Sequence, residues 1–456
     1  MRFVSINPAT GRRLRAYRTH TAAETEKILR RADAAFRDWR EWSFEERGGY
    51  LRSVARVLRR RAPALVRLIT AEMGKPLAQA RAEIEKSALT CEYYASHGGR
   101  LLAPERPAGA PKNARVLFQP LGTLLAIMPW NFPVWQAVRA AAPALMAGNT
   151  FLLKHAPNVT GCAHAVAAVF AEAARRRAPA AVFQIALLPN EAIAAVIADP
   201  RIHAVTLTGS TGAGKKVAAA AGSAIKKGVF ELGGSDAYLI LEDADLDLAA
   251  EVCAASRLIN SGQSCVCAKR FIVVASVRRD FERKFAARLA ARRVGDPLDP
   301  KTDVGPLARR DLRDKLEAQV RASVRAGARL VFGGRALPGR GFFYAPTLLT
   351  GVKPGMPAYD EELFGPVASL ISVPNEAAAI RVANDSVYGL GAAVFSRSLR
   401  RARAVAARIE AGAVFINDFV RSDPTLPFGG TKQSGYGREL GSFGIREFVN
   451  VKTVLG

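Results

Sequence analysis

The sequence has 456 residues, 49% of them hydrophobic, and a formal net charge of +26 at pH 7. A chain of this length has room for two to three domains with buried cores, and its five cysteines are too few for a disulfide-stapled scaffold. Residues 1–19 lack the apolar core of a secretory signal, and no apolar run is long enough to span a membrane. We therefore expect a cytoplasmic protein that does not associate with membranes.

The positive charge suggests nucleic-acid binding at first sight, because basic surfaces attract phosphate backbones. However, the arginines are spread along predicted helices, as in residues 51–69, and no nucleic-acid-binding motif accompanies them. Basic residues with this spacing are typical of solvated helix faces. We therefore predict no nucleic-acid partner, although the charge can attract anionic substrates in general.

The apolar pattern predicts helices first and then two regions in which strands and helices alternate. Residues 21–100 have helical spacing that begins with Thr21 in a capping position, and residues 116–130 are rich in β-formers. Short apolar strands follow between alanine-rich helical segments at 150–155, 182–187, 204–209 and 227–232. A second series of strands is predicted at 237–241, 270–275, 328–334, 367–373 and 392–396. This alternation predicts an α/β protein with parallel sheets covered by helices.

Two of the cysteines, Cys265 and Cys267, stand one residue apart after a Gly-Gln-Ser turn. A zinc site needs about four ligands, usually in paired Cys-x2–4-Cys spacings, and neither the other cysteines nor the five histidines are clustered. We therefore predict no metal site. A reactive thiol and a pair of inert buried thiols both fit this pattern.

Residues 205–217 place a glycine-rich turn between a predicted strand and a predicted helix, where backbone amides can receive a phosphate. The turn is close to a P-loop, but Lys216 stands where a magnesium-binding hydroxyl is required. It does not match the Gly-x-Gly-x-x-Gly dinucleotide pattern either. By itself the turn indicates a phosphate site, and it argues against nucleotide hydrolysis.

Two polar residues have positions that suit catalysis but are also explained by local structure. Glu231 ends an apolar strand, where partial burial would raise its pKa and suit it to general-base chemistry; an ordinary strand-end glutamate fits as well. Asn131 lies among aromatic residues and prolines, where its amide could donate to a developing oxyanion or merely form the turn.

Seven motifs follow one another in a diagnostic order: PWNFP (129–133), FLLKHAP (151–157), TGSTGAGKKVA (208–218), ELGGSD (231–236), GQSCVCAKRF (262–271), EELFGPV (361–367) and PFGGTKQSGYGRELG (427–441). Together they resemble the aldehyde dehydrogenase superfamily over essentially the whole chain. The short N-terminus and the Cys-Val-Cys sequence are most similar to its succinate-semialdehyde dehydrogenase branch, in the compact bacterial form.

The resemblance implies an α/β fold of three parts. A Rossmann-variant cofactor domain is expected over 1–98 and 122–233, and an α/β catalytic domain over 234–426. Residues 99–121 and 427–456 are expected to form a small bridging β-sheet that makes homodimers or homotetramers.

The same resemblance implies the catalytic roles. Cys265 is expected to attack the aldehyde carbon as a thiolate, with Asn131 and the Cys265 backbone amide as the oxyanion hole. Hydride transfer to a nicotinamide would leave a thioester, and Glu231 would activate the water that hydrolyses it. Members that transfer the acyl group to coenzyme A lack this glutamate.

The implied cofactor is NADP or NAD. Expected contacts are Trp130, Lys154, Pro157, Gly209, Ser210, Leu232, Glu362 and Phe364: Lys154 for the adenosine ribose, Gly209 and Ser210 for the pyrophosphate, Glu362 and Phe364 for the nicotinamide ribose. NAD-preferring relatives commonly carry a glutamate where this chain has Pro157, and that glutamate repels a 2′-phosphate. The proline therefore predicts that NADP is accepted.

The implied substrate is succinate semialdehyde, with glutarate semialdehyde or another aliphatic aldehyde as the alternative. Arg139 matches an arginine that binds the substrate carboxylate, Ser422 matches a serine that completes this contact, and Trp135 is a further expected substrate contact. Longer relatives have a second arginine where this chain has Ile259. A solvated role for Arg139 is the alternative, although its apolar surroundings favour an anionic partner.

Cys267 matches relatives in which oxidation joins the two thiols in a disulfide and silences the nucleophile. Residues i and i+2 of an extended segment project to the same side, so a modest loop movement could close the bond. Inert packing is the alternative for this thiol.

Overall fold

The computed structural model describes residues 1–174, 178–179 and 181–456. The helices are α1 (Ala22–Trp39), α2 (Phe44–Met73), α3 (Leu77–Leu101), α4 (Trp135–Met146), α5 (Thr160–Ala174), α6 (Ile193–Ala198), α7 (Thr211–Ser223), α8 (Leu246–Leu258), α9 (Arg278–Ala290), α10 (Arg310–Arg325), α11 (Pro357–Asp360), α12 (Glu376–Asn384), α13 (Leu399–Ala406) and α14 (Gly441–Arg446). Short 3-10 turns occur at Pro157–Val159, Asn190–Ala192, Ile259–Gly262 and Ala275–Val277.

The strands are β1 (Arg2–Ile6), β2 (Arg13–Arg18), β3 (Ala114–Pro120), β4 (Thr123–Met128), β5 (Thr150–His155), β6 (Phe183–Ile185), β7 (Ile202–Thr208), β8 (Lys227–Glu231), β9 (Asp236–Ile240), β10 (Ala268–Val274), β11 (Arg329–Phe332), β12 (Thr347–Thr350), β13 (Val367–Val373), β14 (Tyr388–Gly389), β15 (Gly391–Phe395), β16 (Ala413–Ile416), β17 (Thr431–Lys432), β18 (Gly435–Tyr436) and β19 (Val449–Leu455).

The predicted N-terminal helical region consists of α1, α2 and α3. Thr21 caps α1 as predicted: its hydroxyl accepts from the Glu24 N–H at 3.2 Å, and the Glu24 carboxylate accepts from the Thr21 N–H at 2.8 Å. The helix α2 ends at Gly74, whose φ of +79° is a left-handed conformation that glycine adopts most readily. Among the described residues, no helix is both long enough and apolar enough to cross a membrane.

The first large sheet has the strand order β18-β8-β7-β4-β5-β6. Its neighbours from β8 to β6 are parallel, whereas β18, from the C-terminal region, joins the edge antiparallel to β8. Neighbouring residues of β4 face opposite sides, so that Leu124 joins one apolar core and Leu125 another. This sheet is therefore covered on both faces, as an α/β fold requires.

The second large sheet has the strand order β11-β12-β13-β10-β9-β15-β16. Its strands are parallel except for β11, which pairs antiparallel with β12 at the edge. Leu239 faces one core and Tyr238 the other, so this sheet is also buried on both faces. The predicted α/β class is confirmed.

The sequence analysis did not predict several strands, because they are short or lie outside the alternating regions. The four-residue strands β12 and β16 and the antiparallel hairpin β1–β2 belong to this group. The strands β3 and β19 form a separate antiparallel pair, in which Val451 and Leu455 of β19 are 59% and 63% exposed.

The carboxyl ends of the first sheet's parallel strands position the site. The segment with Asn131 follows β4, Ser210 follows β7, and Glu231 is the last residue of β8. In open α/β sheets, ligands bind outside this edge. A short link from β8 to β9 then brings in the second sheet, whose strand β10 is preceded by the loop with Cys265.

Candidate active site

The loop before β10 holds Cys265 in a tightly fixed backbone. Asn260, Ser261 and Gly262 have φ values of +54°, +56° and +78° in succession. Left-handed backbone is uncommon for residues other than glycine and costs free energy. A Cβ atom on Gly262 would lie 2.3 Å from the Gly365 carbonyl oxygen, so this position has room only for glycine.

Side-chain amides join this loop to the segment that follows β4. The Asn260 Nδ2 donates to the carbonyl oxygens of Asn131 at 2.7 Å and Gln263 at 3.1 Å. The Asn131 Nδ2 also donates to the Gln263 carbonyl, at 3.1 Å. The segment that carries Asn131 and the loop that carries Cys265 are therefore joined by Asn260, which the sequence analysis did not single out.

Lys269 is a second residue that the sequence analysis missed. Its buried ammonium donates to the carbonyl oxygens of Ser264 at 3.0 Å and Cys265 at 2.8 Å. The same nitrogen lies 3.4 Å from the Glu362 carboxylate. Lys269 thus connects the nucleophile loop to a predicted cofactor contact. Its place two residues after Cys267 in the motif was the available signal.

The Cys265 thiol is half-buried and has a raised pKa. Burial raises the pKa to about 12, and the positive charges of Arg139 and Lys269 oppose that shift. The resting thiol is therefore protonated at neutral pH. The backbone N–H of Cys265 donates to no acceptor in the described part of the chain, so it is free to bind a substrate oxygen.

Glu231 is 2% exposed, and neither of its carboxylate oxygens has a hydrogen-bond partner among the described residues. Burial raises the pKa of this carboxyl well above its usual range, and the neighbouring Glu439 raises it further. Arg139 and Arg438 oppose the shift. A buried carboxyl with no hydrogen-bond partner and a raised pKa has the properties that a general base needs.

Arg139 is 2% exposed, and two protein side chains contact its guanidinium. Its guanidinium lies 2.5 Å from the Glu439 carboxylate and donates to the Thr208 hydroxyl at 3.0 Å. We call Arg139, Glu439 and Glu231 the ion-pair cluster. The alternative of a solvated arginine is wrong, and the anionic partner that burial demands is supplied by the protein itself. Contact of Arg139 with the substrate stays a prediction.

Trp135 and Ser422, the other predicted substrate contacts, meet at a lysine that the sequence analysis did not single out. The Lys86 ammonium donates to the Ser422 hydroxyl at 2.8 Å and lies 4.5 Å from the centroid of the buried Trp135 ring. We call Lys86, Trp135 and Ser422 the lysine cluster. One lysine in a strongly basic chain carries no signal before tertiary contacts are known.

A cavity of about 380 Å³ opens beside Cys265 and Asn131. Six of the predicted cofactor contacts line it: Trp130, Gly209, Ser210, Leu232, Glu362 and Phe364. Lys154 and Pro157 lie instead at and just after the end of β5. The structure therefore gathers most of the predicted cofactor residues around one space next to the thiol.

The residues of this cavity fit a dinucleotide. Added Cβ atoms would lie 2.8 Å from the Glu362 carboxylate at Gly233 and 2.7 Å from the Cys265 carbonyl oxygen at Gly234. These glycines therefore let the backbone pass close to the thiol loop. Ser210 caps α7, whose first turn contains no acidic residue and can face a phosphate.

Lys154 also fits an anionic ligand. It is 6% exposed, and burial lowers the pKa of its ammonium. Its side chain donates to the Asn190 amide oxygen at 3.2 Å and forms no ion pair within 4.0 Å among the described residues.

Cys267 is buried, and its thiol donates weakly to the Ile259 carbonyl oxygen at 3.5 Å. Burial raises the pKa of this thiol, while Arg257 and Lys269 oppose the shift. Residues 1–174, 178–179 and 181–456 contain no group of three or more metal-binding side chains. Pairing of Cys267 with Cys265 stays a prediction.

The sequence model of the aldehyde dehydrogenase family matches residues 1–454 of this chain. The NAD(P)+ succinate semialdehyde dehydrogenase Sad of Escherichia coli K12 is 47% identical over 99% of this chain and 97% of its own length. A Mycobacterium bovis protein named succinate-semialdehyde dehydrogenase for NADP+ is 48% identical over 100% of this chain and 99% of its own length.

Solved structures agree with this assignment. The succinic semialdehyde dehydrogenase of Streptococcus pyogenes in complex with NADP+ superposes with a TM-score of 0.96 at 38% identity, covering 99% of both chains. The structure of Gox0499 gives a TM-score of 0.97 at 43% identity, covering 100% of this chain and 99% of its own. The chain belongs to the aldehyde dehydrogenase family, and it is an oxidoreductase. The resemblance carried by the seven motifs is confirmed.

Proposed function

We propose that this protein oxidises succinate semialdehyde to succinate with NADP+ or NAD+ as the hydride acceptor. The carrying observation is that Cys265 and Asn131 line the same cavity as six predicted cofactor residues, while the buried Glu231 directly precedes Leu232 and Gly233, which also line it. The substrate assignment is supported by the full-length similarity to relatives named for succinate semialdehyde.

The first step is addition of the Cys265 sulfur to the aldehyde carbon, with the thiol proton passing to solvent water and the carbonyl oxygen becoming the oxyanion. Because the pKa of the resting thiol is raised, the proton has to leave as the carbon–sulfur bond forms. The developing oxyanion can accept from the free backbone N–H of Cys265 and from the second hydrogen of the Asn131 Nδ2. Two fixed donors at that position stabilise the charge as it appears.

The second step removes a hydride from the thiohemiacetal carbon and leaves a thioester on Cys265. NADP or NAD, when bound, supplies the carbon that accepts this hydride. Glu362 and Phe364 would hold its nicotinamide ribose, while Lys269 fixes Glu362 relative to the thiol loop. Ser210 and Gly209 would receive the pyrophosphate at the start of α7.

The third step hydrolyses the thioester. Glu231 accepts a proton from water, whose oxygen adds to the acyl carbon, and the Cys265 thiolate leaves. Its raised pKa makes Glu231 a stronger base than an exposed carboxylate. Glu439 adds to that shift through its negative charge, and Arg139 limits it.

Cofactor choice depends on Pro157 and Lys154. The proline at the start of the 3-10 turn 157–159 brings no negative charge to a 2′-phosphate, and the Lys154 ammonium lacks a carboxylate partner within the described chain. We therefore propose that NADP is accepted, with NAD also used. A preference for NAD of about a hundredfold in kcat/KM would contradict this proposal.

We also propose that the protein is a cytoplasmic homodimer or homotetramer. The exposed apolar residues Val451, Val454 and Leu455 on β19 support assembly through the β3–β19 pair, because such residues are costly to leave in water. All five cysteines are free thiols, which fits a reducing compartment. Light scattering of the purified protein tests the assembly.

The proposed reaction is tested with purified protein, both cofactors and a panel of aldehydes. Succinate semialdehyde should exceed uncharged butanal by at least about tenfold in kcat/KM, with glutarate semialdehyde second, because a charge-assisted contact adds about one to two decades. Equal efficiency for succinate semialdehyde and butanal would refute the substrate assignment while leaving aldehyde oxidation intact.

A further inference from the structure

Resting on the proposed function, we infer that Lys86 is the cation that selects aldehydes with a distal carboxylate, by donating to that carboxylate together with the Ser422 hydroxyl. Lys86 already lies 2.8 Å from the Ser422 oxygen and against the Trp135 ring, so the two predicted substrate contacts converge on its ammonium. The class of substrate is therefore an ω-carboxylated aliphatic aldehyde.

The protein leaves this ammonium without an acidic partner. Lys86 forms no ion pair within 4.0 Å in the described part of the chain, although its side chain is half-buried. The other two lysines near the nucleophile and α4 are satisfied: Lys75 pairs with Glu83, and Lys269 binds carbonyl oxygens and Glu362. A half-buried cation that contacts a hydroxyl and a ring face, with Asp423 and Glu83 beyond ion-pair distance, has its charge available for an anionic ligand.

Arg139 is a poorer candidate for the same task. Its guanidinium is held by the Glu439 carboxylate and the Thr208 hydroxyl, and binding a substrate carboxylate there would compete with a buried ion pair. Arg139 nevertheless lowers the pKa of both Cys265 and Lys86, so the thiol and the lysine both lie within its electrostatic range.

Helix α3 fixes Lys86 relative to the reacting residues. Glu83, one turn earlier on α3, accepts from the backbone N–H groups of Val134 and Trp135 at 2.8 and 3.0 Å. Those two residues start α4 directly after the segment that carries Asn131. The Lys86 side chain is therefore held against the same short segment that supplies the oxyanion donor.

Ionisation of Lys86 should make the selectivity for the carboxylated aldehyde depend on pH. Burial lowers its pKa to about 8, helped by the positive charges of Arg139 on α4 and Arg421, while Asp423 and Glu83 oppose the shift. In the free enzyme the ammonium is present below pH 8 and is lost as the pH rises above it. Selectivity for the carboxylated aldehyde should therefore fall above pH 8, whereas ionisation of Cys265 affects both aldehydes and cancels in their ratio.

The experiment measures kcat/KM for succinate semialdehyde divided by kcat/KM for butanal, in wild type, Lys86→Met, Lys86→Arg and the exposed control Lys27→Met on α1. Lys86→Met should lower this ratio at least about tenfold, mainly through KM, because the contact exists in the ground state as well as the transition state. Lys86→Arg should keep most of the ratio, and Lys27→Met, with the same change in charge, should match wild type.

An unchanged ratio in Lys86→Met would overturn the inference. A wild-type ratio near one would instead refute the proposed substrate. Should the methionine variant fail to fold, the pH arm decides: the wild-type ratio should fall by at least about tenfold in total between pH 8 and about 10, and it should stay level in Lys86→Arg. A wild-type ratio that stays level from pH 7 to about 10 would overturn the role of Lys86 without any variant.

Discussion

The ion-pair cluster and the lysine cluster treat similar charges in different ways. In the first, Arg139 is 2% exposed and forms an ion pair with Glu439, beside the proposed base Glu231. In the second, Lys86 is half-buried, contacts a hydroxyl and an aromatic ring, and has Asp423 and Glu83 only beyond ion-pair distance. A paired buried charge holds protein groups in position, whereas an unpaired one is available to a ligand. The difference supports the proposal that the first cluster serves the chemistry and the second the selectivity.

The largest effect is expected from Cys265→Ala, which removes the reaction and leaves the lysine cluster intact. Turnover of every aldehyde should fall by more than about a hundredfold, because no other group can form the thioester. Binding of succinate semialdehyde, measured by calorimetry, should persist. A variant that keeps more than about a percent of the wild-type rate would contradict the assignment of the nucleophile.

Arg139→Ala separates the two clusters more sharply. It would leave Glu439 buried without its partner, so we expect a loss of about 3 kcal/mol in the free energy of unfolding, measured in urea. Both aldehydes should slow by a similar factor, since Glu231 loses a neighbouring positive charge. The double variant Arg139→Ala/Glu439→Gln should recover part of the stability.

The hypothesis drawn from the sequence, that Arg139 binds the substrate carboxylate, predicts a different result for Arg139→Ala. If the guanidinium binds the substrate carboxylate, Arg139→Ala should slow succinate semialdehyde by about one to two decades and leave butanal almost unchanged. That outcome would return selectivity to the ion-pair cluster and weaken the case for Lys86.

A smaller effect is expected from Lys269→Met, which removes a positive charge from both the thiol loop and Glu362. With the thiol pKa raised to about 12, alkylation of Cys265 by iodoacetamide should speed up about tenfold per pH unit between pH 7 and 9, as the thiolate fraction grows. Removing the Lys269 charge should raise this pKa further and slow alkylation at each pH. Cys267→Ala is the control for the second thiol, and equal rates with and without Lys269 would exclude an electrostatic role.

The smallest and most conditional effect concerns Cys267. If the two thiols form a disulfide, peroxide should inactivate the wild type in a manner that dithiothreitol reverses, and Cys267→Ala should lose that reversible phase. The buried Cys267 thiol lies near the Ile259 carbonyl, so closure requires the loop to move. The same reversible loss in Cys267→Ala would make this cysteine a bystander.

The sequence predicted the parts of the molecule that local patterns encode. Cys265, Asn131, Glu231 and the glycine-rich turn belong to short motifs, and periodicity located the longer strands of both sheets. The pairing of Arg139 with Glu439 joins residues that lie 300 positions apart, and no local pattern reports such a contact. The importance of Lys86 and Asn260 follows only from their tertiary contacts, which are with Ser422 and Asn131 respectively.

The most direct test of the account is the mass of the Cys265 peptide in Glu231→Gln after mixing with succinate semialdehyde and NADP+. Removing the base should let hydride transfer proceed and stop hydrolysis, so a burst of NADPH should accompany one succinyl group on that peptide. The amount of succinyl group on Cys265 should equal the amount of NADPH formed in the burst. A burst without this group, or the group on another residue, would contradict the account.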